Sequence, residues 1–103
     1  MPGTFSQILL HIVFSTKNRQ PWIKDQIRER LYSFVSGIVR SEKGLMLSMG
    51  GIEDHVHLYL RWHPDGKISD LVRNIKARSS KWIHETYPDL LKFSWQEGYS
   101  VFT

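Results

Sequence analysis

The sequence predicts an α+β fold: a four-stranded antiparallel sheet with two helices on one face, in the order βαββαβ. Three observations carry that prediction. Residues 24–43 and 69–86 repeat their apolar positions every three or four residues, the period of an amphipathic helix. Residues 55–60, His-Val-His-Leu-Tyr-Leu, alternate polar or aromatic with aliphatic, the period of a strand with one buried face. The remaining apolar runs are short and end in polar, Pro or Gly punctuation, which suits strands and turns.

Each element has its own justification. Ser6–Ser15 is a nearly continuous apolar run with β-branched and aromatic members, so it reads as a buried strand. Thr16–Pro21 is a polar, basic loop. In the first helix Ile27, Leu31, Phe34, Val35, Ile38 and Val39 form the apolar stripe, and Gly44 suits its C-terminus. Leu45–Met49 reads as a second strand, and Gly50–Asp54 as the turn of a hairpin into the histidine strand. That strand stops near Trp62, before the turn signal Pro64-Asp65-Gly66. The second helix carries Ile68, Leu71, Val72, Ile75, Trp82 and Ile83 on one face, with Ser79 as a small gap in it, and Pro88 closes it. The aromatic stretch Phe93–Phe102 reads as the fourth strand, with Gly98 marking a bulge or close approach. The resulting order is the ferredoxin-like arrangement.

Composition narrows the function classes. The chain has 103 residues, which fits one domain over residues 1–103. It contains no cysteine, so disulfide frameworks and thiolate zinc sites are excluded, in keeping with a cytoplasmic location. No apolar run approaches membrane-spanning length, so no membrane partner is expected. A net charge of +4 favours an anionic partner such as nucleic acid, although solubility alone explains as much.

The chemistry-bearing motif is His55-Val56-His57. On a strand these two imidazoles project from the same face and can share one metal ion. A bare His-x-His serves surface histidines equally well; it also opens the metal sites of barrel hydrolases, for which this chain is too short. Lys17 and Arg19 in the first loop, and Arg73, Lys76 and Lys81 on the outer side of the second helix, are candidate phosphate contacts. Solvated charge explains them as well.

Four segments, taken together and in order, resemble one family. They are His11-Ile12-Val13-Phe14-Ser15-Thr16-Lys17-Asn18-Arg19, Asp54-His55-Val56-His57-Leu58, Lys76-Ala77-Arg78-Ser79-Ser80-Lys81-Trp82 and Trp95-Gln96-Glu97-Gly98-Tyr99. They resemble the opening strand, metal strand, second helix and last strand of the HUH (His-hydrophobe-His) single-tyrosine transposases of the insertion sequence 200 and 605 type. The resemblance implies transposition of DNA through single-stranded and hairpin intermediates by a homodimer. It also implies that His55 and His57 hold a divalent ion, Mg²⁺ or Mn²⁺, while a tyrosine attacks the strand and keeps it as a phosphotyrosine. In that family the tyrosine and a glutamine metal ligand lie on a further helix, beyond the segment matching Trp95–Tyr99. Tyr32, Tyr59, Tyr87 and Tyr99 do not match it and are read as packing residues. The expectation is therefore no catalytic residue in this chain, which is a fragment or a naturally shortened copy and inactive alone, with Glu53 or Asp54 substituting for the third ligand. Two other readings stand beside it: a nucleic-acid-binding module or repressor that has lost catalysis, and an unrelated ferredoxin-like protein binding a metal or small ligand.

Overall fold

The structure, a computed structural model, describes residues 7–103. Its elements run β1 (Ile8–Ser15), α1 (Asp25–Ser41), β2 (Leu45–Ile52), β3 (His55–Trp62), α2 (Ile68–Thr86) and β4 (Ser100–Phe102), with short 3₁₀ turns at Lys17–Arg19 and Pro88–Leu90. The sheet order is β2-β3-β1-β4 and every neighbouring pair is antiparallel. β1 and β3 occupy the centre and pair along their whole length, from Ile8 opposite Trp62 to Ser15 opposite His55. Both helices cover one face. Leu10, Ile12 and Phe14 of β1 and Val56, Leu58, Leu60 and Trp62 of β3 point into it and are buried against Leu31, Val35 and Ile38 of α1 and Leu71 and Ile75 of α2. The expected fold is the observed one.

Local readings differ in four places. The expected first strand began at Ser6, which lies outside the described residues. The run is also not buried on both faces: Leu9 is exposed and His11, Val13 and Ser15 half-buried, because none of the described residues forms a layer over the second face of the sheet. The hairpin turn is only Glu53-Asp54. Gly50, Gly51 and Ile52 continue β2, and an irregularity between Met46 and Ser48 leaves Leu47 as the extra residue.

The third difference is the end of α1. Gly44 donates its N–H to Val39 O and Lys43 donates to Arg40 O, the Schellman pattern, in which the left-handed residue is Lys43 (φ 70°), not Gly44. Gly44 is required for space: a Cβ there would stand 2.9 Å from Trp62 and Val39.

The fourth difference is the C-terminal strand, which shrinks to Ser100–Phe102. The preceding Phe93–Tyr99 is an irregular strap joined to the end of β1 by the single bridge Trp95–Thr16. Phe93 and Trp95 behave as anchors and not as strand residues. Phe93 is buried, and Trp95 lies edge-on to both Phe14 and Phe93 with centroids 4.9 Å apart. Gly98 then takes φ +86°, a left-handed conformation that turns the chain towards β4.

Candidate metal centre and nucleic-acid interface

The alternation of β3 sends Val56, Leu58, Leu60 and Trp62 into the core and leaves His55, His57, Tyr59 and Arg61 on the open face. The His55 and His57 rings lie side by side, centroids 5.0 Å apart. Opposite them on β1 are Ser15 and Val13, and His11 lies one pleat further on, facing Tyr59.

The position of this pair is fixed by the hairpin tip. Thr16 donates its N–H to Asp54 O at 2.9 Å, and Ile23 donates to Glu53 O at 2.9 Å, so the chain after β1 holds the two-residue loop from both sides. Gly51, at φ +140°, passes so close to β3 that a Cβ would meet His55 O at 2.2 Å. Any side chain there would push the histidine strand away.

Each imidazole has one nitrogen engaged. His55 donates its Nδ1–H to Asp54 Oδ1 at 2.9 Å, and Asp54 is also paired with Arg19, Nε to Oδ2 at 3.2 Å. The His55 hydrogen bond, and then Arg19, hold the Asp54 carboxyl below the usual carboxylate range. His57 Nδ1 stands 2.9 Å from His11 Nε2. Burial, reinforced by the neighbouring His55 and His11, pushes His57 below the usual imidazole range. His57 is thus held in the neutral form that can act as a ligand. On both histidines the nitrogen left over is Nε2. His55, whose Nδ1–H is tied to a carboxylate, has the arrangement that metal-ligating histidines adopt, and with the His57 ring beside it the pair fits a divalent cation.

The third ligand expected from Glu53 or Asp54 is not there. Asp54 is committed to His55 and Arg19, and Glu53 points to Lys24 at 3.6 Å. Among the described residues no group of three His, Cys, Asp or Glu side chains is placed to hold an ion.

A cleft of about 420 Å³ opens at the pair, bordered by His55, His57, Arg19, Glu97, Tyr99 and Ser100. The strap separates it from a second groove of about 510 Å³ that runs between the strap and α2 and includes Arg73, Lys76, Trp95 and Tyr99. Glu97, Gly98 and Tyr99 border both.

The five predicted phosphate contacts therefore separate. Arg19 borders the histidine cleft, with Lys17 exposed two residues before it. Arg73 is exposed in the second groove and paired with Asp70. Lys76 also lines that groove, but its ammonium donates to Gln96 O (2.7 Å) and to Gly98 O. Burial lowers its pKa, opposed by Glu97. Lys81, five residues on, falls about 140° around the helix from Lys76, so the two do not form one outer patch.

Sequence reasoning missed His11 and Asp54 as partners of the histidine rings, and it missed Tyr99 as a residue of the cleft. Tyr99 was read as packing, yet it is exposed where the strap crosses between the two grooves. The signal for His11 was its place in the first quoted segment; only the strand register puts it beside His57. Tyr32 and Tyr87 pack against the core, in line with packing roles, and their buried hydroxyls have no hydrogen-bond partner among the described residues.

Comparison with known proteins gives the family and the fold. The family model described as "Transposase IS200 like" matches residues 4–103. The ISDra2 transposase TnpA of Deinococcus radiodurans is 26% identical over 93 residues, which are 90% of this chain and 66% of that protein. The chain thus spans about two thirds of the length of the curated relative it matches. A crystal structure of a transposase from Deinococcus radiodurans R1 superposes with a TM-score of 0.89 at 24% identity, covering 94% of this chain and 78% of that one. A REP-associated tyrosine transposase bound to a REP hairpin superposes with a TM-score of 0.68 at 14% identity, covering 91% of this chain and 54% of the other. At these identities the two structures establish the shared fold.

Proposed function

The chain belongs to the IS200-like transposase family, and on that premise we propose that it is the metal-binding core of a transposase that cleaves and rejoins single-stranded or hairpin DNA. The observation that carries the reading is the pair His55 and His57, adjacent on the open sheet face with each Nδ1 engaged and each Nε2 free, at the head of a cleft lined by Arg19. Mg²⁺ or Mn²⁺ bound there would supply Lewis-acid polarisation of a scissile phosphate. His55 and His57 would hold the ion, and Asp54 keeps His55 in the tautomer that can do so. With two protein donors among the described residues, binding by these alone would be weak, and water and phosphate oxygens would supply further donors.

Arg19 and Lys17 would contact phosphates beside the pair. Arg73 and Lys76 would do so in the adjoining groove, Lys81 on a separate side of α2, and Tyr99 between the grooves offers a ring for an unpaired base. In this reading the attacking tyrosine comes from outside residues 7–103 and leaves a 5′-phosphotyrosine. Tyr59 stands on the metal strand itself and cannot lie opposite the pair across a phosphate. The active form is a homodimer. The exposed Phe102 on the short edge strand β4 supports that, since pairing covers an open sheet edge.

The test is incubation of the chain with a single-stranded hairpin substrate and Mn²⁺, with and without a full-length relative whose own histidine pair has been removed. No denaturant-resistant DNA adduct is expected from the chain alone, and an adduct is expected from the mixture. An adduct on the chain itself that disappears in Tyr99→Phe would overturn the assignment of the nucleophile. A mixture that stays inactive, together with salt-sensitive hairpin binding, would favour a DNA-binding module without catalysis.

A further inference from the structure

His63 and His84 place their Nε2 against the backbone carbonyls of Glu42 and Phe93, which accounts for both. His11 has a different situation. Its Nε2 stands 2.9 Å from Nδ1 of His57. Its cross-strand neighbours are Tyr59 on β3 and Phe102 on β4, so the three rings form one row across the open face. The His11 ring meets the edge of Tyr59 at 6.4 Å and the tilted ring of Phe102 at 5.7 Å, and it meets His57 edge to edge, 28° from coplanar with centroids 5.1 Å apart. Side chains from both neighbouring strands therefore hold its orientation.

A hydrogen bond between two neutral imidazoles has one donor and one acceptor. If His57 accepted at Nδ1, its proton would sit on Nε2 and no lone pair would be left for a cation. If His57 donates from Nδ1, Nε2 is free. We propose that His11 is a positioning residue: by accepting the Nδ1–H of His57 on its own Nε2, it holds His57 in the tautomer whose Nε2 can bind a divalent cation. This inference rests on the metal reading of His55 and His57. It makes the site asymmetric, with a carboxylate orienting His55 and an imidazole orienting His57.

The experiment compares wild type, His11→Gln and His11→Leu. Glutamine places a carbonyl oxygen near the position of Nε2 and keeps an acceptor; leucine fills the space and offers none. Ring ¹⁵N shifts of His57, recorded without metal at a pH where imidazoles are neutral, report the tautomer directly. Mn²⁺ affinity is then measured by electron paramagnetic resonance.

Wild type and His11→Gln should both show the Nδ1–H tautomer and bind Mn²⁺ alike. His11→Leu should show a tautomer mixture and bind about 10- to 100-fold more weakly. A wild-type His57 protonated on Nε2 overturns the proposal without reference to any variant. So does a folded His11→Leu with unchanged tautomer and unchanged affinity. Wild type in the Nδ1–H tautomer that binds no Mn²⁺ sinks the metal reading instead, while still supporting the role of His11 in setting the tautomer.

Discussion

The two walls of the histidine cleft are built by opposite means. On one side β1 and β3 pair residue for residue from Ile8–Trp62 to Ser15–His55, and the aliphatic face of each strand is buried beneath the helices. On the other side the strap of residues 93–99 has one bridge to Thr16 and is otherwise fastened by side chains. Trp95 donates its indole N–H to Ser79 Oγ at 3.0 Å, His84 bonds Phe93 O at 2.8 Å, and Lys76 holds the carbonyls of Gln96 and Gly98. The difference teaches a division of labour. The histidine pair sits on backbone-paired strands whose register is fixed, and the residues that border both grooves sit on a segment that individual side chains hold in place.

Breaking the first wall should have the largest effect. Leu58 follows His57 on β3 and is fully buried, so Leu58→Ala should cost about 2–5 kcal/mol in urea denaturation. A cost well under 1 kcal/mol would show that β3 is not the spine of the fold. Gly51→Ala comes next. It places a Cβ against His55 O at a strained φ, and a loss on the order of 1–3 kcal/mol is expected, together with weaker Mn²⁺ binding. Stability lost with Mn²⁺ affinity intact would mean that the hairpin does not position the pair.

The second wall should fail locally. Ser79→Ala leaves the Trp95 indole without its acceptor, for a loss of about 1–3 kcal/mol. Amide exchange at Phe93 and Gln96 should accelerate while exchange at Leu58 stays unchanged. Equal acceleration at both sites would show that the two walls are one cooperative unit.

The smallest effect expected is a pH dependence. Because the folded-state pKa of His57 is lowered, the unfolded chain takes up the proton first. The stability this confers is present above the ordinary imidazole value of about 6.5 and is lost as pH falls through the folded value. Urea midpoints should decline below that point in wild type and less steeply in His57→Gln; parallel profiles would remove His57 as the source.

The contrast between the walls also marks what the sequence could tell. The β3 alternation was legible because every second residue is aliphatic, and the face bearing His55 and His57 followed from the strand period alone. The helices were legible by their three-to-four spacing to within a residue or two. The strap was not, because its aromatics carry the same β-propensity whether they form a ladder or plug the core, and Phe93 and Trp95 do the latter. Ser79 could be seen as a gap in an apolar stripe, but its role as acceptor for Trp95 depends on a contact sixteen residues away. His11 illustrates the remaining limit. Its distance to His57 is set by the register of β1 on β3, across a separation of 46 residues, and periodicity within one segment carries no information about register between two.

The central claim is that His55 and His57, alone among the histidines, present Nε2 to one ligand position. Histidine ring NMR under substoichiometric Mn²⁺ tests it most directly. The account predicts that the Cε1–H signals of His55 and His57 broaden first and together, with His11 following as their neighbour, while His63 and His84, tied to backbone carbonyls elsewhere, stay sharp. Uniform broadening of all five histidines, or broadening of His63 or His84 before the pair, would contradict it.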